Sequence, residues 1–379
     1  MSNNDKMLMV DADGHVLEPA DLWTNYIDPK YRDRAIHINI ADDGLEDLVI
    51  DGKALPSLHG SLAALGGIES DKHDLMRPGR LTYADGCPPG SYDPAERLKV
   101  MDSEEIDISL LYPTIGISWE GETTDPGLAA AYAQAYNRWL GEFCSHDPKR
   151  LVPIAHISLL DPEAAVEEVI RTKKQGFAGI YLSPDQPARG GKNFNDPAFV
   201  KFWETVQELE MPVAFHVVVR ERPFFRDWLS RDEGIGLFSF SFLAMDVIAG
   251  FTMMISQGIF EKYPRLKCTV LESGASWIAY WLDRMDHKFE VMQHAPIKMK
   301  PSEYFFRQCV ISADPDETLT DKVIEKMGAD YFIWASDYPH VDASFGVVDE
   351  MRGRLASLPK EDQRKVFGTN AMRFYGLTA

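Results

Sequence analysis

The chain has 379 residues, of which 45% are hydrophobic and 26% charged, the composition of a soluble globular protein. Acidic residues outnumber basic ones by 59 to 39, and the formal net charge of −20 argues against nucleic acid and anionic membranes as partners. No apolar run reaches the roughly 18 residues of a membrane span, and the opening MSNNDK lacks the parts of a secretory signal, so we expect a cytoplasmic location.

The first predicted strand, residues 8–13, runs into the stretch VDADGHVLEP. Because successive side chains of a strand point to opposite faces, alternation would place Asp11, Asp13 and His15 on one side. The region 17–96 that follows is rich in proline, glycine and charge, and its segment HINIADDGLEDLVIDGKAL predicts a small hairpin with Asp-Gly turns. This region also carries three histidines: His37, His59 and His73.

Beyond this region, apolar strands alternate with amphipathic helices. Seven further strands are predicted at 106–114, 151–158, 176–184, 211–219, 267–273, 309–314 and 331–337. Helices are predicted at 126–144, 161–176, 199–210, 240–263, 275–292 and 317–328, and two more close the chain. Asp161 is placed to cap the second of these helices, and Gly176 lies just past its end.

Eight strands, most followed by a helix, predict a parallel sheet closed as a (β/α)8 TIM barrel, an α/β fold. An open doubly wound sheet is the alternative, but no GxGxxG opens any helix. We expect residues 1–379 to form one barrel domain, with 17–96 as an insertion near the barrel mouth. Barrel active sites lie at the carboxyl ends of the strands, so polar residues there are the candidates for function.

Ionisable residues stand at the predicted carboxyl ends of four strands: Asp13 and His15, His216, Glu272, and Asp337. A lone charge at the end of an apolar strand is costly to bury, and a shared cation removes that cost. Two imidazoles and two carboxylates suit Zn²⁺ best, with Mn²⁺ or Fe²⁺ as alternatives. Taken singly, His216 is as well explained as a buried core histidine, and Asp337 as a turn residue.

Several motifs together resemble the amidohydrolase superfamily, in the branch that includes aminocarboxymuconate semialdehyde decarboxylase, resorcylate-type decarboxylases and several hydrolases. They are VDADGHVLEP, MDSEEIDISLLYPT, MPVAFHVVV, GIFEKYPRLKCTVLESGASWIAYWLDRMD, CVISADPDE, IWASDYPHVD and FGTNAMRFYGL, spread over nearly the whole chain. The resemblance implies metal ligands at Asp13, His15, His216 and Asp337, with Asp13 in place of the first histidine of the family's HxH motif. It also implies a homodimer.

The strand-four segment IYLSP offers no lysine, so the resemblance favours a single metal ion. Glu272 is the main departure, because decarboxylases of this branch usually have a histidine on strand six. An ionised Glu272 would repel a substrate carboxylate, which favours hydrolysis over decarboxylation. Glu272 is then a general base, a proton shuttle or, less favoured, a ligand for a second metal; a structural salt bridge is the alternative.

The favoured interpretation is a metal-dependent hydrolase of a small carbonyl compound (amide, ester, thioester or C–C bond), in which a metal-activated water attacks the carbonyl. Asp337 would take the proton of that water, and Glu272 or His340 would protonate the leaving group. His156 and Arg220, with Arg222 beside the latter, are candidates for substrate binding, although a core or surface ion-pair role explains them equally.

Two other accounts stay open: a metal-dependent, non-oxidative decarboxylase of an aromatic or dienoic acid, and a barrel that binds a ligand without catalysis. Serine-nucleophile hydrolysis and zinc-peptidase activity are disfavoured, because neither GxSxG nor HExxH occurs.

Overall fold

The computed structural model describes residues 7–75, 77–219, 235–292 and 296–378. Eight parallel strands follow one another around the barrel in chain order, which confirms the predicted (β/α)8 fold. The barrel strands are β1 (Val10–His15), β5 (Ile108–Tyr112), β6 (Leu151–His156), β7 (Gly179–Leu182), β8 (Val213–Phe215), β9 (Cys268–Val270), β10 (Cys309–Ala313) and β11 (Phe332–Trp334).

The strands are nearly continuous apolar runs because both of their faces are buried. One face fills the barrel interior, and the other packs against the surrounding helices. The interior layer includes Val10, Leu110, Ile154, Ala214 and Ile333, which form one buried cluster. In β5, β6 and β8, the residue two positions beyond Leu110, Ile154 or Ala214 is polar. The same alternation points its side chain into the mouth of the barrel.

The barrel closes where β11 meets β1. At this seam the backbone N–H of His15 donates to the carbonyl of Tyr338 over 2.7 Å, and that of Asp337 donates to the carbonyl of Asp13 over 3.0 Å. Both bonds come from residues at or beyond the ends of the regular strands. The seam therefore lies directly beside the candidate site.

Helices cover the outside of the barrel. Those in the described residues are α1 (Leu22–Tyr26), α2 (Lys72–Leu75), α3 (Pro94–Ser103), α4 (Gly116–Trp119), α5 (Pro126–Cys144), α6 (Pro162–Lys174), α7 (Val200–Glu208), α8 (Ile235–Ser256), α9 (Ile259–Lys262), α10 (Trp277–Met292), α11 (Pro301–Gln308), α12 (Thr320–Met327), α13 (Val347–Arg354), α14 (Lys360–Arg364) and α15 (Asn370–Tyr375). The predicted cap of α6 is confirmed, because the Asp161 carboxylate accepts from the N–H groups of Glu163 and Ala164.

The predicted helix 240–263 is wrong in one respect. The structure divides it into α8 and α9, because Gly258 adopts a left-handed conformation (φ 76°) between them. The apolar face around Phe251 to Ile259 is buried within the chain, where Phe251 packs edge-on against Trp277 and Phe305. The homodimer stays a prediction.

The segment 17–96 contains a three-stranded antiparallel sheet of β2 (His37–Ile40), β3 (Glu46–Ile50) and β4 (Lys53–Ala54), one strand more than the predicted hairpin. It reaches the barrel mouth, where the N–H of Ile68 donates to the carbonyl of Pro339, next to His340. Among the described residues, no helix is both long enough and apolar enough to cross a membrane.

Candidate metal centre

The first strand delivers two site residues through a break in its regular pairing. The register of β1 against β5 shifts between Asp11 and Gly14. A Cβ on Gly14 would lie 2.4 Å from Ser109 Oγ and 2.5 Å from Asp11 Oδ2, so only glycine fits between Asp13 and His15. The expectation that Asp11 shares their side is wrong: its carboxylate accepts hydrogen bonds from Ser109 and Ser336 instead.

Two buried imidazoles face each other at the centre of the mouth. The Nδ1 of His15 donates to the carbonyl of Pro113, and the Nδ1 of His216 donates to the carbonyl of Val217, both over 2.9 Å. The two Nε2 atoms lie 3.0 Å apart. Because both Nδ1 atoms carry hydrogen, the neutral rings present two lone pairs to each other, an arrangement that requires a proton or a cation between them.

Carboxylates surround this pair of nitrogens. Asp13 approaches the Nε2 of His15 to 3.4 Å and that of His216 to 3.8 Å, and Asp337 lies 3.5 Å from the Nε2 of His15. Within the described residues, both oxygens of Asp13 and of Asp337 are buried and accept no aligned hydrogen bond. Buried oxygens of this kind are costly unless something else coordinates them.

The ligand atoms fall into groups that a single ion would bridge. Asp13, His15 and His216 offer atoms within 4.8 Å of one another, as do His216, Glu272 and Asp337. Nitrogen and carboxylate donors in this mixture suit Zn²⁺, Mn²⁺ or Fe²⁺. The residues present therefore fit a divalent cation. The particular ligand set of Asp13, His15, His216 and Asp337 stays a prediction.

The ionisation of these groups reflects burial and crowding. Burial raises the pKa of Asp13 and of Asp337 well above the usual carboxyl range. Burial also lowers the pKa of His15, whereas the charges of Glu272 and Asp13 outweigh burial at His216 and raise its pKa to about 9. A proton on His216 thus offsets the negative charge of the nearby carboxylates. A divalent cation would displace that proton on binding.

Glu272 stands at the inner edge of the site. Its Oε2 lies 2.7 Å from the Nε2 of His216, off the line of a hydrogen bond. Glu272 (φ 43°) and Asp337 (φ 54°) both have left-handed backbones just after their strands. Such conformations cost on the order of 1–3 kcal/mol and cluster at functional sites, since they aim a side chain where a regular strand would not.

His340 lies behind Asp337. Its Nδ1 is 2.8 Å from Asp337 Oδ1, and its Nε2 is 2.9 Å from the hydroxyl of Thr114 at the end of β5. The His340 ring also packs 4.1 Å from the ring of His15. With its Nε2 bonded to Thr114 and its Nδ1 close to Asp337, His340 is suited to exchange protons with that carboxylate.

A cavity of about 520 Å³ opens above the centre. Asp13, Glu272 and Asp337 line its floor, and its rim is acidic. Two rim carboxylates have structural partners: Asp314 accepts from the N–H of Gly274, and Glu317 accepts from the N–H groups of residues 275 and 276. These bonds fix the turn that carries Glu272.

The substrate-binding candidates have different outcomes. His156 is fully buried at the end of β6 beside Trp119 and does not line the described cavity, so its role in substrate binding stays a prediction. Arg220 and Arg222 lie outside the described residues, so their role in substrate binding stays a prediction.

Sequence reasoning missed two residues that support the centre. Arg97 is buried, donates to the carbonyl of His15 over 2.7 Å, and stacks on the ring of Tyr338 at 4.6 Å. Glu18 is also buried and accepts from the N–H groups of residues 114–116, which fixes the loop that carries Thr114. Glu18 was within reach of the sequence, since it stands in VDADGHVLEP, whereas Arg97 has no local signal.

A parallel barrel that gathers two imidazoles and several carboxylates at its strand ends has the architecture of a barrel metalloenzyme. Residues 88–377 match the family model described as Amidohydrolase. Since the match covers more than half of the chain, the protein belongs to the amidohydrolase family, and the resemblance inferred from its motifs is confirmed.

Curated relatives include decarboxylases. The chain is 26% identical over 295 residues to gamma-resorcylate decarboxylase of Rhizobium sp. (strain MTP-10005), covering 74% of this chain and 86% of that protein. It is 25% identical over 301 residues to 2-amino-3-carboxymuconate-6-semialdehyde decarboxylase of Dictyostelium discoideum, covering 76% and 77%.

Solved structures share the fold. An amidohydrolase from Mycobacterium avium subsp. paratuberculosis K-10 superposes with a TM-score of 0.81 at 22% identity, covering 98% of this chain and 100% of that one. A 5-carboxyvanillate decarboxylase from Novosphingobium aromaticivorans DSM 12444, complexed with manganese and a nitrobenzoic acid, superposes with a TM-score of 0.68 at 21% identity, covering 98% and 96%.

These comparisons contradict the favoured expectation of a hydrolase and agree with the decarboxylase alternative. The expectation rested on repulsion between Glu272 and a substrate carboxylate. It treated Glu272 as an isolated charge, although the ring of His216 lies 2.7 Å away and a divalent cation would add two positive charges beside both.

Proposed function

We propose that the protein is a metal-dependent, non-oxidative decarboxylase of an aromatic carboxylic acid. The observation that carries the proposal is the gathering of Asp13, His15, His216 and Asp337 in overlapping groups of candidate ligands at the barrel mouth. Membership of the amidohydrolase family and the decarboxylase relatives support the choice of reaction.

One divalent cation would be held by these four side chains. Mn²⁺ is the first candidate, because a structural relative is complexed with manganese; Zn²⁺, expected from the ligand types, is the second. When bound, the cation offsets the clustered carboxylates and attracts the acidic group of the substrate. Asp13 and Asp337 each supply an oxygen, and the Nδ1 bonds to backbone carbonyls orient the two imidazoles.

The reaction needs no oxidant. The bond between the ring carbon and the carboxylate carbon breaks, CO2 leaves, and the ring carbon gains one proton in exchange. We assign the transfer of that proton to Asp337, with His340 as its partner for proton exchange at 2.8 Å. Glu272 lines the cavity and lies beside His216, so we assign it the positioning of the reacting acid.

The insertion 17–96 lies beside the mouth of the barrel, although none of its residues lines the described cavity. The bond from Ile68 to Pro339 ties it to the loop that carries His340. We therefore assign the segment a role in the choice of substrate, as insertions that leave from the carboxyl end of a barrel strand commonly have.

The test compares decarboxylation with hydrolysis in one assay. Protein freed of metal and reloaded with Mn²⁺ or Zn²⁺ is incubated with 2,6-dihydroxybenzoate, 5-carboxyvanillate and their methyl esters. We expect CO2 release from a free acid, and in deuterated water one deuterium at the ring carbon that carried the carboxylate. Ester cleavage without CO2 release, or no reaction with any free aromatic acid, would overturn the proposal.

His216→Ala is the matched negative control, since it removes one proposed ligand. It should lose both bound metal and CO2 release. Tyr280→Ala, at an exposed position on α10, should retain both.

A further inference from the structure

A second group of buried polar atoms lies beside the metal centre. Within the described residues, the Nε1 of Trp119, the Oε2 of Glu120, both ring nitrogens of His156 and the hydroxyl of Tyr181 are buried without a hydrogen-bond partner. We call these four residues the polar cage. None of the four belongs to the ligand set, and none lines the 520 Å³ cavity.

The members of the polar cage are in mutual contact. Glu120 Oε2 lies 3.3 Å from the Nε2 of His156, without hydrogen-bond alignment. Trp119 stacks on the His156 ring at 4.9 Å and 26°, and Tyr181 meets the same ring edge-on at 4.9 Å. All four residues are more than nine-tenths buried.

The polar cage adjoins the metal centre through the barrel interior. Ile154 and Tyr181 belong to the interior layer, and alternation along β6 carries His156 to the same side, into the mouth. The Tyr181 ring lies 6.4 Å from the ring of His216. Burial raises the pKa of Tyr181, the charges of Glu120, Asp185 and Glu272 raise it further, and the nearby Ser183 hydroxyl lowers it. The Tyr181 hydroxyl is therefore within electrostatic reach of both groups of residues.

Neighbouring residues hold the backbone of the polar cage in place, but among the described residues they form no aligned hydrogen bonds with its buried polar atoms. Asn137 bonds both the N–H and the carbonyl of His156 and also contacts Glu168, which places the histidine backbone firmly. In the part of the chain that the structure describes, the ring nitrogens of His156 nevertheless have no aligned hydrogen-bond partner. Buried polar atoms without partners are costly, and a concentrated group of them indicates a ligand or ordered water.

We propose that the polar cage binds a hydroxyl substituent on the ring of the substrate, an inference that rests on the decarboxylase function proposed above. Trp119 only donates hydrogen bonds, an ionised Glu120 only accepts them, and Tyr181 and His156 do either. A phenolic hydroxyl matches this mixture because it donates one hydrogen bond and accepts others. A second carboxylate does not match, since Glu120 would repel it.

The test measures binding rather than turnover. Mn²⁺-loaded protein is titrated by calorimetry with benzoate, 3-hydroxybenzoate, 4-hydroxybenzoate and 3,5-dihydroxybenzoate. We expect the best hydroxylated probe to bind at least about tenfold more tightly than benzoate, because a site built to pair with a hydroxyl discriminates strongly against ligands that lack it. Tyr181→Phe and Glu120→Gln should each bring that ratio close to one, with Mn²⁺ affinity unchanged.

Tyr263→Phe is the matched control, since Tyr263 also has a buried hydroxyl without a partner but lies outside the polar cage. It should leave the ratio unchanged. An unchanged ratio in folded Tyr181→Phe and Glu120→Gln would overturn the proposal and indicate that the cage holds solvent. No preference for any hydroxylated probe in the unaltered protein would overturn it as well. A persistent preference without CO2 release would instead count against the proposed reaction alone.

Discussion

Glu272 and Asp337 are the two carboxylates of the site that hold left-handed backbone conformations. They differ in their neighbours. Asp337 is in contact with His340 and His15, whereas Glu272 touches only His216 among the site imidazoles and otherwise faces the cavity. Asp337 is therefore suited to hold a cation and a proton, and Glu272 is placed to meet the substrate.

Substitution of Glu272 separates these roles. Glu272→Gln keeps the side-chain shape and removes the charge that positions the reacting acid, so we expect kcat for decarboxylation to fall by about 10²-fold. KM should stay level or fall, because a negative charge facing the substrate carboxylate has been removed. Steady-state kinetics on the Mn²⁺-loaded protein measures both quantities.

Asp316→Asn is the control for the charge effect. Asp316 is an exposed residue on the rim of the same cavity. Its substitution should change KM alone. A rise in KM with unchanged kcat for Glu272→Gln would show that Glu272 binds the substrate without a part in the chemical step.

The end of β1 determines the geometry of the candidate metal centre. The register shift between Asp11 and Gly14 turns Asp13 and His15 toward the mouth, and Arg97 then fixes the carbonyl of His15. Gly14 makes this possible because a Cβ there would also lie 2.8 Å from the guanidinium of Arg97.

Gly14→Ala should therefore disrupt the geometry of the candidate metal centre. A methyl group at this position must displace Arg97, Asp11 or Ser109, all of which are buried, so we expect a loss of stability of about 1–3 kcal/mol and substoichiometric metal binding. Denaturant unfolding and metal analysis measure the two effects. Gly353→Ala, in α13 with open space around it, should be neutral or stabilising. Full metal occupancy in Gly14→Ala would contradict the assigned role of the register shift.

The sheet of the insertion carries a pH-dependent contact. His59 lies 2.7 Å from Asp47 and 3.0 Å from Asp43, and these carboxylates raise its pKa above the usual value of 6.5. A histidine with a raised native pKa stabilises the fold when protonated, so its contribution is fully present below pH 6.5 and is lost as the pH rises through the native pKa.

Hydrogen exchange of β2 to β4 should therefore be slower at pH 5.5 than at pH 8.5, after correction for intrinsic exchange rates. His59→Gln should reduce this difference, since it keeps hydrogen-bonding capacity but does not titrate. His37→Gln is the control on the same sheet, because the Nδ1 of His37 bonds a backbone carbonyl rather than a carboxylate. An equal pH response in both variants would contradict the role of His59.

The sequence predicted the elements and the proposed ligands because both have local signals. Each barrel strand is an apolar run, and His15, His216 and Asp337 interrupt such runs at their ends. Of the polar cage, the sequence singled out only His156. Trp119 and Tyr181 look like core residues, and only the fold shows that their polar atoms lack aligned hydrogen-bond partners among the described residues. Asp11 was misplaced because alternation assumes a regular strand.

The seam between β11 and β1 coincides with the candidate metal centre. Asp13 and His15 come from β1, Asp337 follows β11, and His216 stands across the mouth after β8. Across the seam, the backbone bonds are those from His15 to Tyr338 and from Asp337 to Asp13, at the very residues that would hold the ion. A cation held by both sides of the seam would thus close the barrel as well as support catalysis.

Metal removal should therefore destabilise the whole protein. Binding only to the native state contributes about 4 kcal/mol when free Mn²⁺ exceeds its Kd by 1,000-fold, so chelation should lower the midpoint of thermal unfolding by several degrees. Hydrogen exchange should accelerate most in 10–15 and 332–338, on the two sides of the seam, and little in α6 on the outside of the barrel. In His15→Ala the chelator should have no further effect. If Mn²⁺ binds stoichiometrically yet leaves both the unfolding midpoint and exchange at the seam unchanged, the cation is held elsewhere on the molecule, because an ion shared by β1 and the end of β11 must oppose their separation.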